Sequence, residues 1–337
     1  MERGLAVAPG PTMQKLIGSC AFVLVLVGRA SAAPVVAPVV GGTPVAPHAW
    51  PGVVSVELRG GWCSGTLIAP DVVLTAGHCV DAEPVAVTVD TIDFGKPGGE
   101  RIAVIRSEAY PDWARSYDVG VLLLAHAAKA APYPIAAACT LQTALVRGAT
   151  AELVGFGLTT PAGTGRNTRL REAAIAITDP TCETEAGCEA SVAPVGEFAA
   201  GGRGIDACFG DSGGPVFAAT SGGPALMGVV SRGLSVGGAP CGGGGIYVRA
   251  DRVVAWVMRL TGRVPARSRC AADGPADGTG EAAAAPDLGA GVDADAGGCN
   301  ASGAAAGSGA LLLIAACASV LARRRVLTPR RALTRRA

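Results

Sequence analysis

Ser212 stands in Gly210-Asp211-Ser212-Gly213-Gly214-Pro215. The glycines and the proline disfavour a helix or strand interior and suit sharp turns that expose one hydroxyl. A serine hydroxyl is a weak nucleophile and needs a base, with a further group to orient that base. The chain has three histidines, His48, His78 and His126, so the search for the base is short. His78 lies in Leu74-Thr75-Ala76-Gly77-His78-Cys79, and Asp118 opens Asp118-Val119-Gly120-Val121-Leu122-Leu123-Leu124. His48 and His126 have no motif around them and read as loop or surface residues.

Gly210–Gly214 also matches the G-x-S-x-G elbow of lipases and esterases, in which the acid and then the histidine follow the serine. No histidine lies beyond His126, which excludes that reading. The available order is histidine, aspartate, serine. In that order and at these separations, the three segments resemble the catalytic signatures of the trypsin/chymotrypsin family of serine proteases. The resemblance covers residues 39–262.

It implies that His78 takes the proton of Ser212 and later gives it to the leaving amine, while Asp118 fixes the tautomer and orientation of His78. The backbone N–H groups of Gly210 and Ser212 would hold the oxyanion. Ser231 matches the serine that precedes the substrate-binding strand and touches the catalytic aspartate. Asp206, six residues before Ser212, matches the floor of the primary specificity pocket, with Gly233 and Gly245 as its open walls. A carboxylate there favours an Arg or Lys side chain, because a buried charge needs a partner. Arg232 departs from the family, which usually has an aromatic residue after that serine. It is expected to weaken hydrophobic subsite contacts and to repel basic residues beside the scissile bond.

Val39-Val40-Gly41-Gly42 resembles the mature N-terminus of the family. By that resemblance the α-amine of Val39 inserts into the protein and pairs with Asp211, ordering the oxyanion loop. The residue before it is Pro38, not the Arg or Lys a trypsin-like activator cuts after. Residues 33–38, Ala33-Pro34-Val35-Val36-Ala37-Pro38, form three dipeptides, two of them ending in proline. A zymogen trimmed by a separate dipeptidyl-peptidase-like enzyme is the expectation.

Eleven cysteines point to an oxidising compartment. The resemblance pairs Cys63 with Cys79 and Cys208 with Cys241. Cys182 matches a third family position whose usual partner falls near Ala199, and Cys188 is a candidate substitute whose pairing stays open. Cys139 and Cys270 are candidates to join the barrel to the C-terminal extension; the pairing of Cys139, Cys270 and Cys299 stays open.

These residues need a scaffold. Short apolar runs punctuated by Gly, Pro and Asp predict strands at Val53–Leu58, Gly65–Ile68, Val72–Leu74, Val85–Val89, Ile102–Ile105 and Val119–Leu124. A second set lies at Ala151–Gly155, Glu172–Ile177, Pro215–Phe217, Leu226–Val230 and Gly245–Val248. The pattern is all-β, and the resemblance implies two antiparallel six-stranded barrels with the cleft between them. His78 and Asp118 would belong to the first barrel and Ser212 to the second. Val253, Val254, Val257 and Leu260 recur at helical spacing and predict a closing helix over Asp251–Leu260.

Around this domain, expected over 39–270, the ends have other compositions. Met13-Gln14-Lys15, the apolar run Leu16–Gly28 and Ala30-Ser31-Ala32 read as a signal peptide over 1–32. Residues 271–298 carry six acids and no base and read as a disordered linker. Residues 303–322 read as an apolar helix just long enough to span a bilayer, and 323–337 carry seven Arg. From Cys299 onward the tail resembles the sorting signals of bacterial surface proteins, myxobacterial ones in particular; a plain transmembrane anchor is the other reading. A net charge of +1 with a near-neutral central region gives no nucleic-acid footprint. Residues 85–101 hold no cluster of oxygen ligands, and no cofactor or metal is expected.

The function expected is a secreted or surface-tethered serine endopeptidase acting on proteins or peptides after Arg or Lys. Two alternatives stand beside it. An inactive, protease-like binding or adhesion module would usually lose a triad residue, and none is lost. A protease of elastase-like or chymotrypsin-like preference is opposed by Asp206.

Overall fold

Runs such as Val53-Val54-Ser55-Val56 and Val72-Val73-Leu74-Thr75 place apolar residues at successive positions, not at alternate ones. A strand buried on both faces has that pattern. In a computed structural model of the chain, these runs form barrel walls that another layer also covers. The structure describes residues 39–270, with Met1, Gly4 and Gly10. The expected signal peptide, pro-segment, acidic linker and tail with Cys299 lie outside the described residues.

A two-residue strand, β1 (Thr43–Pro44), precedes the first barrel. That barrel is made of β2 (Val53–Leu58), β3 (Gly61–Ala69), β4 (Val72–Thr75), β5 (Pro84–Val89), β6 (Glu100–Ala109) and β7 (Gly120–Leu124). Its strands run antiparallel in the order β2-β3-β4-β7-β6-β5, and β5 pairs back onto β2 to close it. The second barrel holds β8 (Thr150–Gly155), β9 (Arg171–Asp179), β10 (Glu197–Ala200), β11 (Pro215–Thr220), β12 (Gly223–Gly233) and β13 (Gly245–Arg249). Its order is β9-β10-β13-β12-β11-β8, closed by the β8–β9 pairing, with β1 added along β9.

Three cores follow from this geometry. Val54, Val56, Leu67, Val73, Val87 and Leu122 fill the first barrel. Leu153, Ile175, Ile177, Phe198, Met227 and Tyr247 fill the second. Val53, Val72, Leu74, Val121, Phe156, Phe217 and Val229 face outward from their barrels and pack into a third core between them. Alternate residues of β4 thus serve different cores, Val73 the barrel interior and Val72 and Leu74 the layer between. No solvent face is left to require a polar position.

The closing helix is shorter than its spacing predicts. A 3-10 turn at Ala250–Arg252 leads into α3 (Val254–Thr261), which buries Val257 and stops at Gly262 in the left-handed region, φ 67°. Two further helices carry no periodic signal: α1 (Gly77–Asp81) and α2 (Ala138–Ala144). Among the described residues four disulfides join Cys63 to Cys79, Cys139 to Cys270, Cys182 to Cys188 and Cys208 to Cys241. Among the described residues no helix is long and apolar enough to cross a membrane.

Candidate active site

α1 holds His78, and Asp118 lies just before β7, so both come from the first barrel. His78 Nδ1 is 2.9 Å from Asp118 Oδ2, and the His78 backbone N–H donates to Oδ1 at 3.0 Å. An ionised carboxylate only accepts, so the ring proton sits on Nδ1 and Nε2 is left as the basic nitrogen. From β12 of the second barrel, the Ser231 hydroxyl donates to Asp118 Oδ2 at 2.7 Å. Burial alone would raise the Asp118 carboxyl; the hydrogen bonds and charge of His78 and the bond from Ser231 outweigh it and hold the group below its usual range.

Ser212 and His78 line one cavity of about 400 Å³ together with Ala207, Cys208, Gly233 and Cys241. The Ser212 hydroxyl makes no hydrogen bond among the described residues; such contacts often tighten only when substrate binds. The turn around Ser212 is tied down by its backbone. Ser64 N–H donates to Ser212 O at 2.9 Å, Gly213 N–H to Val230 O at 2.8 Å, and Gly214 N–H to Asp211 O at 2.7 Å. Gly210, at φ 97°, has no room for a side chain: a Cβ there would lie 2.5 Å from Trp62 Nε1. Among the described residues, the backbone N–H groups of Gly210 and Ser212 find no acceptor. Two neighbouring donors without a partner, beside a hydroxyl, are what a developing oxyanion needs.

Ser64 has no signal in the sequence beyond its place after Cys63. Its hydroxyl donates to Gly210 O at 2.9 Å and accepts from Phe156 N–H at 3.1 Å, so it holds the turn from the opposite barrel.

Asp206 is fully buried. Its carboxylate accepts from Ala207 N–H at 2.7 Å, Gly244 N–H at 3.1 Å and Gly242 N–H at 3.3 Å. Burial pushes its carboxyl up to about 6, against those three bonds. A Cβ on Gly245 would lie 3.1 Å from Asp206 Oδ1 and 2.9 Å from Tyr247 Oη, so glycine keeps the ground beside the carboxylate clear. Gly233 lines the cavity shared by His78 and Ser212; Asp206 and Gly245 do not.

Asp211 is also fully buried, with Gly157 N–H on Oδ1 at 2.7 Å and Cys208 N–H on Oδ2 at 2.9 Å. Burial first, and the nearby Asp206 charge second, push its carboxyl up to about 7. Gly155 and Gly157 flank it, and a Cβ on either would collide with the carboxylate. Val39 is fully buried in the second-barrel core with Ala207 and Val216. Its neighbour Val40 is held by the Asp206 N–H on Val40 O at 2.9 Å.

Arg232 has a partner that the sequence did not suggest. Its guanidinium forks onto Glu197 of β10, Nη1 to Oε1 and Nη2 to Oε2, both at 2.8 Å. Glu197 is fully buried. The charge expected to repel basic substrate residues is thus paired from within the protein.

His48 and His126 are exposed, near Asp90 and Glu100 respectively. Among the described residues, the two clusters close enough to ligate a metal, Cys63/His78/Cys79 and Cys182/Cys188/Glu197, have both their cysteines in disulfides, which removes the thiolates.

Residues 39–257 match the family described as Trypsin. Chymotrypsin-like elastase family member 1 of Bos taurus is 30% identical over 234 residues, which cover 65% of this chain and 88% of the bovine protein. The protein of the same name from Felis catus is 30% identical over 238 residues, covering 66% of this chain and 89% of its own.

Proposed function

The chain belongs to the trypsin family and is a serine protease, and from that premise we propose that it cleaves peptide bonds after Arg or Lys, with His78, Asp118 and Ser212 as its triad. Ser212 Oγ attacks the scissile carbonyl carbon as His78 Nε2 takes its proton. Asp118 steadies the imidazolium that forms. The carbonyl oxygen, now negative, takes the N–H groups of Gly210 and Ser212. The tetrahedral adduct collapses, the C–N bond breaks, and His78 returns the proton to the leaving amine. Water then releases the acyl group by the same steps in reverse.

The observation that carries this reading is that His78, paired with Asp118, lines one cavity with Ser212, in a turn whose Gly210 and Ser212 N–H groups find no acceptor among the described residues. Specificity is argued from Asp206, a buried carboxylate met by backbone N–H groups and the Tyr247 hydroxyl and lifted by burial, beside Gly245, where a side chain would crowd it. A guanidinium or ammonium group is the complement it lacks.

An elastase-like preference has one observation in its favour. Asp206 has no exposed surface, and the cavity beside Ser212 is lined by Ala207, Val230 and Gly233 without it. As it stands that cavity would take a small apolar side chain. The two readings part in one experiment. Fluorophosphonate labelling of wild type but not of Ser212→Ala identifies the nucleophile, and turnover of peptide amides with Arg, Lys, Ala or Phe before the scissile bond ranks the specificities. An unlabelled wild type sinks the triad; faster turnover of Ala than Arg replaces the first specificity by the second.

The four disulfides favour an oxidising compartment. The organisation that fits is a signal peptide at 1–32, a pro-segment at 33–38, the protease at 39–270, a linker at 271–298 and an anchoring or sorting tail at 299–337.

A further inference from the structure

Ser231 Oγ has two neighbours of opposite character. Asp118 Oδ2 lies 2.7 Å away and Arg232 Nη1 2.9 Å away. A hydroxyl has one proton to give and two positions at which to accept, and a guanidinium only donates. Ser231 therefore accepts from Arg232 and must give its single proton to Asp118. Arg232 is itself held on three sides, by both oxygens of Glu197 and by Gly187 O at 2.8 Å from Nε. Glu197 takes a further bond from Glu189 N–H at 2.7 Å.

We propose that the Arg232–Glu197 pair is a positioning device for the dyad: it fixes the Ser231 hydroxyl as a donor to Asp118 and turns the positive end of a partly buried ion pair toward Asp118 and His78. This inference rests on the reading of His78, Asp118 and Ser212 as the triad. Glu197 sits on β10 and Arg232 on β12, with β13 between them in the sheet. The pair thus belongs to the second barrel, while the groups it acts on belong to the first. Its net charge is zero, yet the cation is the member in contact with Ser231. Asp118 consequently meets a donor of fixed direction from a frame that a neutral aromatic residue could not supply.

Other charged and titratable groups approach the dyad and are accounted for elsewhere. Glu189 lines a small cleft with Asp118, Ser231, Arg232 and Trp113, and its carboxylate accepts from Ser191 N–H at 3.0 Å. Trp113 packs its ring 6.0 Å from that of His78 and donates to Asp81 at 3.0 Å. Arg115 lies near Asp112. Among the described residues, Glu197 is the only ion-pair partner of Arg232.

The test is the pH dependence of kcat/KM for wild type, Arg232→Gln, Glu197→Gln, Arg232→Lys and the double variant Arg232→Gln/Glu197→Gln, each normalised by fluorophosphonate titration of competent sites. Removing the cation should move the acid limb, which reports protonation of His78, to higher pH. Removing the anion leaves the cation unopposed and should move the limb to lower pH. Each shift should be about half a pH unit or more at the effective dielectric of a partly buried site. Arg232→Lys should keep the limb near the wild-type position while lowering kcat, because lysine cannot fork onto Glu197 and reach Ser231 together. If the single variants are not recovered folded, the double variant decides: its limb should rise and its kcat fall about threefold or more, since Ser231 is then free to rotate. Limbs and kcat at wild-type values in the folded variants would overturn the proposal. Failure of the triad reading looks different, as a wild type that is not labelled or a His78→Ala variant that still hydrolyses peptides.

Discussion

The Ser64 hydroxyl donates to the carbonyl of Gly210 across 2.9 Å, so β3 of the first barrel grips the turn of the second barrel that carries Ser212. The same oxygen accepts the Phe156 N–H, and Thr75 Oγ1 donates to Ser64 O at 2.8 Å. A short polar side chain thereby sets the plane of the Gly210–Asp211 peptide, and through it restrains Gly210, whose own N–H lies in the preceding peptide.

Ser64→Ala should cost activity more than binding. The Gly210 carbonyl and the Phe156 N–H each lose a partner, a loss of about 1–3 kcal/mol in stability. Loss of a whole oxyanion donor costs about 3–4 kcal/mol, so a misdirected one should lower kcat by about tenfold. KM should move little. Steady-state kinetics checks this, and an unchanged kcat would show that the turn holds itself.

A second expectation concerns Asp206, whose carboxyl burial lifts to about 6. Above that pH the site is anionic and attracts a basic side chain; below it the site is neutral. The ratio of kcat/KM for Arg over Ala substrates should therefore fall as pH drops through about 6, beyond any loss the two share through His78. Asp206→Ser should reduce the Arg rate about a hundredfold or more, by leaving the substrate cation unpaired, while fluorophosphonate labelling persists. A ratio independent of pH would separate Asp206 from specificity.

Much of this was legible in the sequence, and the exceptions share a cause. Every strand except β1 and β10 announced itself as an apolar run between turn residues. β10, Glu197-Phe198-Ala199-Ala200, carries a charge and is bracketed by Gly196 and Gly201, so it reads as loop. Its charge is tolerable only because Arg232, 35 residues away in sequence, meets it in space. α1 and α2 are too short to show a period. His78, Asp118 and Ser212 stood out because their residue types are reactive and their settings unusual. Ser64, Gly155 and Gly157 did not, because they act through a backbone bond or through the lack of a side chain.

The C-terminal boundary gives a third prediction. Residues 266–270 are stitched to the segment before α2: Ile135 N–H donates to Ala266 O at 2.8 Å, Ser268 N–H to Ile135 O at 3.0 Å, and Ala137 N–H to Ser268 Oγ at 2.8 Å. Cys139–Cys270 then closes a sequence separation of 131 residues. A chain truncated after Ala271 should remain soluble and active. One truncated after Arg263 loses that bridge and those bonds, and should be less stable by about 4–5 kcal/mol from the bridge alone. Urea unfolding of the two chains measures the difference; equal midpoints would place the boundary upstream.

The last prediction joins Asp211 to Val39. A carboxyl raised to about 7 in the folded chain, against its ordinary value of 3.8, makes the folded state hold a proton that the unfolded state has released. Stability should then fall as pH rises from about 4 to about 7, by on the order of 4 kcal/mol at 1.36 kcal/mol per unit. That is the behaviour expected of a chain in which Val39 is still joined to Pro38. A free α-amine at Val39 would supply the missing cation, keep Asp211 ionised and reverse the slope, so that stability is lost toward acid instead. Asp206 contributes a similar term to both forms, so the difference between them isolates Asp211. Ser212→Ala chains, one beginning at Ala33 and one at Val39, unfolded in urea across pH 4–8, would display the two slopes. Because Pro38 is not a basic residue, the enzyme should not make the second form from the first; added dipeptidyl peptidase should. Parallel slopes, or full activity in an active chain that begins at Ala33, would separate Val39 from Asp211 and require another source for the order of the Gly210–Ser212 turn.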